Sequence, residues 1–344
     1  MRNLLTALLT AASLGAPAYA QTLPDHMRST VRETVRTVRT VSYQQGREEQ
    51  TDRQTRTLKI GADGELTLSN ISGDIVVTRA SGGEATIEIV KTSRARTADE
   101  ARELLGLVDV TVTERGGRAE VKTVYPSDRR SHRRNFNVSV AYTVTTPANT
   151  RLTIGSVSGS IRVSDIKGDL SANSVSGHVH IANAGRIAAA KSISGDVEII
   201  DSQTEGAVEA QSISGNVLLR KLTARSLEAG SVSGSVAVQD VQCDRVEAHS
   251  VSGNVEFGGT LAKSGRYELN SHSGDVRIAI AGGTGFEVEA NSFSGSVRSD
   301  LPLTLQGNGT GDRRSRRSLR GVFGDGSAVL DVTTFSGSVV ITKR

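Results

Sequence analysis

The 344-residue chain has no Trp, one Cys, two Met and five Pro, and aromatic residues make up 3% of it. So few rings argue against a sugar-binding groove built on stacked aromatic platforms. The lone cysteine, Cys243, has no partner in its own chain, so packing must supply the stability that an exported protein can otherwise draw from disulfides. Charge of one sign is also lacking. A net charge of +4 is too weak a bias to imply nucleic acid. Beyond Ala20, no stretch approaches the ~18 consecutive apolar residues that a spanning helix needs.

The opening segment, 1–20, carries Arg2, an apolar run from Leu4 to Leu14, and Ala18-Tyr19-Ala20 before Gln21. This is the pattern of a secretory signal, and it predicts an exported chain with no transmembrane segment after cleavage. Residues 21–56 read as a polar Arg/Thr-rich leader. Val31, Val35, Val38 and Val41 lie at helix-like spacing with Arg32, Arg36 and Arg39 beside them, so the leader is either a solvated linker or an amphipathic surface helix.

What is abundant is small and repeated. The phrase Ser-apolar-Ser-Gly-polar-Val/Ile recurs with its glycine at Gly159, Gly177, Gly195, Gly215, Gly234, Gly253, Gly274 and Gly295, with outlying copies at Gly73 and Gly337. A nearly fixed period of about 20 predicts an all-β solenoid, a stack of coils that bury their apolar faces against one another. Each glycine is expected to supply a positive backbone angle at a tight corner. The apolar residue two places before it, Ile193 for example, is assigned to the core. The flanking serines, such as Ser192 and Ser194, are expected to hydrogen-bond up the stack.

Before the regular coils of 151–300, residues 57–150 read as a first coil plus a cap. The cap has a strand over 84–91, a short helix opened by Thr97 and Glu100 with Ala101, Leu104, Leu105 and Val108 on its apolar face, and a hairpin around Gly116-Gly117. A further strand follows over 136–145. Such a cap would cover an otherwise open strand edge. Residues 301–344 are expected to hold a penultimate coil with a basic loop and then a closing coil over 328–342.

No residue set predicts catalysis, and no cofactor is implied. A nucleophile elbow would centre on Ser, whereas Gly155-Ser156-Val157-Ser158-Gly159 centres on Val. His178 and His180 share a strand face but lack the third ligand of a zinc site. Asp74, Asp196 and Asp275 follow the corner glycine and read as turn residues rather than calcium ligands. Glu198, Glu209, Lys191, Arg220 and Lys221 are the side chains that a carbohydrate-active β-helix enzyme would have to converge. The sharpest binding candidates are two basic loops, Arg129, Arg130, Arg133 and Arg134 with His132, and Arg313, Arg314, Arg316 and Arg317 with Arg320, because guanidinium pairs bidentately with phosphate or carboxylate.

The first Leu-Thr-Leu-Ser-Asn-Ile-Ser-Gly-Asp-Ile-Val-Val coil, the ladder of Val-Ser-Gly and Ile-Ser-Gly phrases and the final Thr-Phe-Ser-Gly-Ser-Val resemble the bacterial putative-adhesin family of β-strand-repeat proteins, over residues 57–344. The resemblance implies an exported, non-enzymatic, solenoid-like envelope protein and brings no catalytic residues. Expected partners are an anionic glycan, a lipid headgroup or an envelope protein, reached in the periplasm, at the cell surface or after secretion. A polysaccharide-cleaving enzyme and an accessory of an envelope signalling system are the alternatives.

Overall fold

A computed structural model describes residues 48–126, 137–305 and 317–344. The segment read as a signal, the stretch read as leader up to residue 47 and most of both basic loops lie outside them. The described chain is all-β, with 26 strands in one continuous hydrogen-bonded system and one helix. Each repeat contributes two strands that run parallel to their equivalents in the next repeat, which makes the fold a β-solenoid-like stack. In the Gly195 coil, Arg186–Ser192 pairs with Asp169–Ser174 on one side and Ala207–Ser212 on the other. Val197–Gln203 does the same with Val179–Ala182 and Val217–Ser231.

Period-2 alternation fixes what faces inward. Val208 and Ala210 are buried while Glu209 and Gln211 are half-exposed. Parallel register stacks like on like: Ala172, Ala190, Ala210, Ala229 and Ala248 line one wall of the interior. Ile161, Val179, Val197, Val217, Val236, Val255 and Val276 line the wall beyond the corner. These walls are small or β-branched, and aromatic filler enters the interior at only a few points, Tyr142, Phe257, Tyr267 and Phe286.

In the regular coils positive backbone angles occur at the far corner, not at the glycine corner. Asp165, Asn183, Asp201, Lys221 and Asp240 have φ between 48° and 63°. Asp and Asn tolerate this left-handed region best among side-chain-bearing residues. Of the repeat glycines only Gly73 has a positive φ, 113°. The remaining repeat glycines are needed for closeness. A Cβ on Gly195 would collide with the carbonyl oxygen of Gly177, and one on Gly215 with that of Gly195.

At the amino end, the hairpin of Asp109–Arg115 and Arg118–Val124 adds its second strand in parallel to Glu65–Ser72. Val138–Thr146 pairs in parallel with Ile75–Arg79 and antiparallel with Ala85–Ala95. A strand over Glu48–Leu58 pairs antiparallel with Ala85–Ala95, so ordered strand reaches into the stretch read as leader. Helix α1, Ala98–Leu105, packs against these last two strands. The Thr97 hydroxyl accepts the Glu100 N–H at 3.2 Å, as its sequence suggests. The Glu100 carboxylate, however, accepts the N–H of Arg96 at 3.3 Å rather than that of Thr97.

The carboxyl end departs from the expected order. The coil over 328–343 does not close the stack. Ala328–Thr334 lies between Arg266–Ser271 and Phe286–Ser292, parallel to both, and Val339–Lys343 lies between Val276–Ala281 and Val297–Ser299. The last coil in sequence is thus the last but one in space. The Gly295 coil lies outside it, bordered by the antiparallel strand Ser318–Phe323. The step from Gly295 to Gly337, two periods long, is consistent with either order, so the spacing could not reveal the insertion.

Candidate functional site

The corner is built on the first serine of each phrase, which is buried. Ser192 Oγ donates to the Gly177 carbonyl at 2.9 Å and accepts the Gly195 N–H at 2.9 Å. Ser212 repeats this with Gly195 and Gly215, and Ser292 with Gly337 and Gly295. Thr334 takes the same place in the inserted coil, donating to the Gly274 carbonyl at 2.9 Å. The serines tie coil to coil as expected, but through backbone groups rather than hydroxyl to hydroxyl. The second serine is half-buried at Ser72 and exposed in every copy from Ser158 onward, and it belongs to no such ladder.

Ser156 is the exception. Its hydroxyl is buried and has no hydrogen-bond partner. In the preceding coil the equivalent position is Asn70, whose amide donates to the Gly73 carbonyl at 2.8 Å and so occupies the acceptor that Ser156 would use.

With the serine inside, its apolar neighbour must face out. Ile193 is 44% exposed, which overturns its assignment to the core, and the same holds along the whole column: Ile71, Val157, Val175, Ile213, Val232, Val251, Phe293 and Phe335. Of the twelve large hydrophobic side chains exposed among the described residues, nine lie in this one column. Scattered exposed hydrophobics need no explanation, whereas their concentration in one contiguous strip does. At its carboxyl end the strip becomes aromatic. His272 stacks on Phe335 at 4.9 Å, and Phe335 on Phe293 at 4.6 Å, with planes within 9° of parallel.

Beside the strip runs a trough of about 730 Å³. The apolar column forms one wall, the buried serines the floor, and Ser69, Gly155, Asn173, Lys191, Gln211 and His249 the other wall. Lys122 stands at its amino end, opposite Ser69 in the strand register. No acidic side chain lines it.

Arg129, Arg130, Arg133, Arg134, His132, Arg313, Arg314 and Arg316 lie outside the described residues. Arg317 donates to the Phe293 carbonyl at 3.1 Å, and Arg320 pairs with Glu289. His178 and His180 do not act together. The first accepts the Asp196 N–H through Nδ1 at 3.0 Å and the second meets Glu198 at 2.9 Å. Lys191 pairs with Glu209 at 2.5 Å and Lys221 with Asp201 at 3.3 Å, so these side chains bridge neighbouring coils instead of converging. The residue after the corner glycine carries a second ladder. Asp196 Oδ1 accepts the Asn216 N–H at 2.8 Å, Asn216 Oδ1 that of Ser235 at 3.0 Å, and Asp275 Oδ1 that of Ser338 at 2.9 Å. Burial pushes the Cys243 thiol up to about 11. No helix among the described residues is long and apolar enough to cross a membrane.

A stack of parallel-paired two-strand coils with an exposed apolar strip places the chain among β-solenoid-like repeat proteins. The chain belongs to the Toastrack DUF4097 family, whose profile matches residues 41–221 and 190–342. The comparison with curated proteins found no match. Among solved structures it is similar to a putative adhesin from Bacteroides fragilis NCTC 9343 at 14% identity and TM-score 0.40, covering 85% of this chain and 97% of that one. It is also similar to a putative lipid binding protein from Parabacteroides distasonis ATCC 8503 at 12% identity and TM-score 0.46, covering 84% and 97%. A putative cell adhesion protein from Clostridium sporogenes ATCC 15579 is 9% identical with a TM-score of 0.21, covering 86% and 100%.

Proposed function

We propose that this chain is a non-enzymatic, exported protein of the bacterial cell envelope that works as an adhesin-like binding module, holding its partner against the apolar column. The observation that carries this reading is the concentration, in one strip, of nine of the twelve large hydrophobics exposed among the described residues. The signal-like segment up to Ala20 supports export. The coil-to-coil pairing of Lys191, Glu209, His180 and Glu198 leaves those groups to stabilise the stack rather than to act on a substrate. The two Arg loops would add a salt-dependent contact to anionic glycan or lipid headgroups.

Co-sedimentation of the purified protein with cell-envelope fractions tests this. Ile193→Asp combined with Val232→Asp should abolish most binding at any salt. Replacing Arg313, Arg314, Arg316 and Arg317 by Ser should remove only a part that is visible at low salt. Binding equal to wild type in both variants would refute the reading.

A further inference from the structure

The trough beside the apolar column has features that select its occupant. It crosses the strands from the one that bears Lys122 to the one that bears His249, eight strands in all and so roughly 34 Å at ~4.8 Å per spacing. One acyl chain, half of a ~30 Å hydrocarbon core, needs only ~15 Å of that. Its apolar wall is aliphatic over this length, formed by Val157, Val175, Ile193 and Ile213 among others. The aromatic rings farther along stack face to face on one another, so they offer mostly edges and make a poor platform for a sugar.

The charged lining is cationic only. Lys191 is engaged by Glu209, whereas Lys122 is exposed and makes no ion pair among the described residues. Near that end the polar wall opens at Gly155, where an added Cβ would find no heavy atom closer than 4.0 Å. On the same strand Ser156, 5% exposed, lines the trough with the one hydroxyl of its column that lacks a partner.

We propose that the trough binds a long-chain carboxylate, its acyl chain laid along Val157, Val175, Ile193 and Ile213 and its carboxylate held by Lys122 beside Ser69 and Gly155. The assignment rests on the reading of the column as a binding surface and adds the ligand. An apolar strip selects the chain, and a lone cation at one end with no acid along the lining selects a single negative head.

The test is titration of the full chain with the fluorescent polyene cis-parinaric acid, followed by displacement with palmitate or the uncharged hexadecanol. Wild type should bind the probe saturably, one ligand per chain, and release it to palmitate. Ile193→Asp with Ile213→Asp, both at exposed positions and checked for folding by circular dichroism, should weaken binding at least about tenfold. Lys122→Ser should weaken palmitate about threefold and leave hexadecanol unchanged. Absence of saturable binding by wild type, or equal binding by the variants, would overturn the proposal. So would light scattering that shows a wild-type dimer which the double variant splits, because the strip would then face a second copy of the chain. Envelope binding that persists without palmitate binding would sink this inference and leave the envelope-binding reading standing.

Discussion

The Ser212 hydroxyl donates to the Gly195 carbonyl at 2.9 Å and accepts the Gly215 N–H at 2.9 Å, so its removal leaves two buried backbone groups unpaired. Ser212→Ala should therefore cost about 1–3 kcal/mol in chemical denaturation. Ser156→Ala removes a hydroxyl that bonds nothing, and should be neutral within about 0.5 kcal/mol. Equal losses at the two sites would mean that the rung bonds do not hold the stack. The repeat itself, with its glycines and serines, is legible in the sequence, and so are α1 and its Thr97 cap. The side of the strand is where the sequence misleads. Val208 and Ala210 already set an alternation that puts Ser212 inside and Ile213 outside. The greater hydrophobicity of Ile argues against that register, but a buried serine with two backbone partners costs little, and the register wins. The glycine's role is hidden for a related reason, since close approach of a neighbouring coil leaves no mark in a single repeat.

Among the strands, stacking like on like has an electrostatic cost where the like residues are acids. Glu268, Asp331 and Glu289 sit on successive rungs of Arg266–Ser271, Ala328–Thr334 and Phe286–Ser292. Burial first, and then the charges of Glu268 and Glu289, push the Asp331 carboxyl above its ordinary value. A carboxyl raised in the folded state stabilises the fold fully below its unfolded pKa of ~3.9 and loses that contribution as pH rises through the folded value. Asp331→Asn is accordingly expected to raise the Tm at pH 7, with the gain shrinking toward zero at pH 3. A gain that is the same at both pH values would show that repulsion along this row is not its source.

For the whole stack, the position of the last coil matters more than its sequence. Because 328–343 lies between the Gly274 and Gly295 coils, the carboxyl end cannot assemble until the chain is complete, and pairings such as Arg266 with Val329 and Val276 with Val339 are distant in sequence. Solenoid stability is close to a sum of neighbouring interfaces, so loss of an outer coil removes one interface while loss of an inner one removes two. Truncation after Ser327 should melt the coil over 286–299 together with its bordering strand Ser318–Phe323, visible as loss of amide-exchange protection there. Retained protection at 286–292 would contradict the inserted order.

Along the whole stack the serine column faces inward and the Val/Ile column outward. Cysteine substitution reads this orientation directly, since native Cys243 is 3% exposed with its thiol pushed to about 11 and should stay silent. Alkylation of the native protein near neutral pH should modify Ile193→Cys and Val232→Cys at rates near that of a free thiol. Ser192→Cys and Ser231→Cys should react only after denaturation. The reverse order would return the apolar column to the core and remove the proposed binding surface.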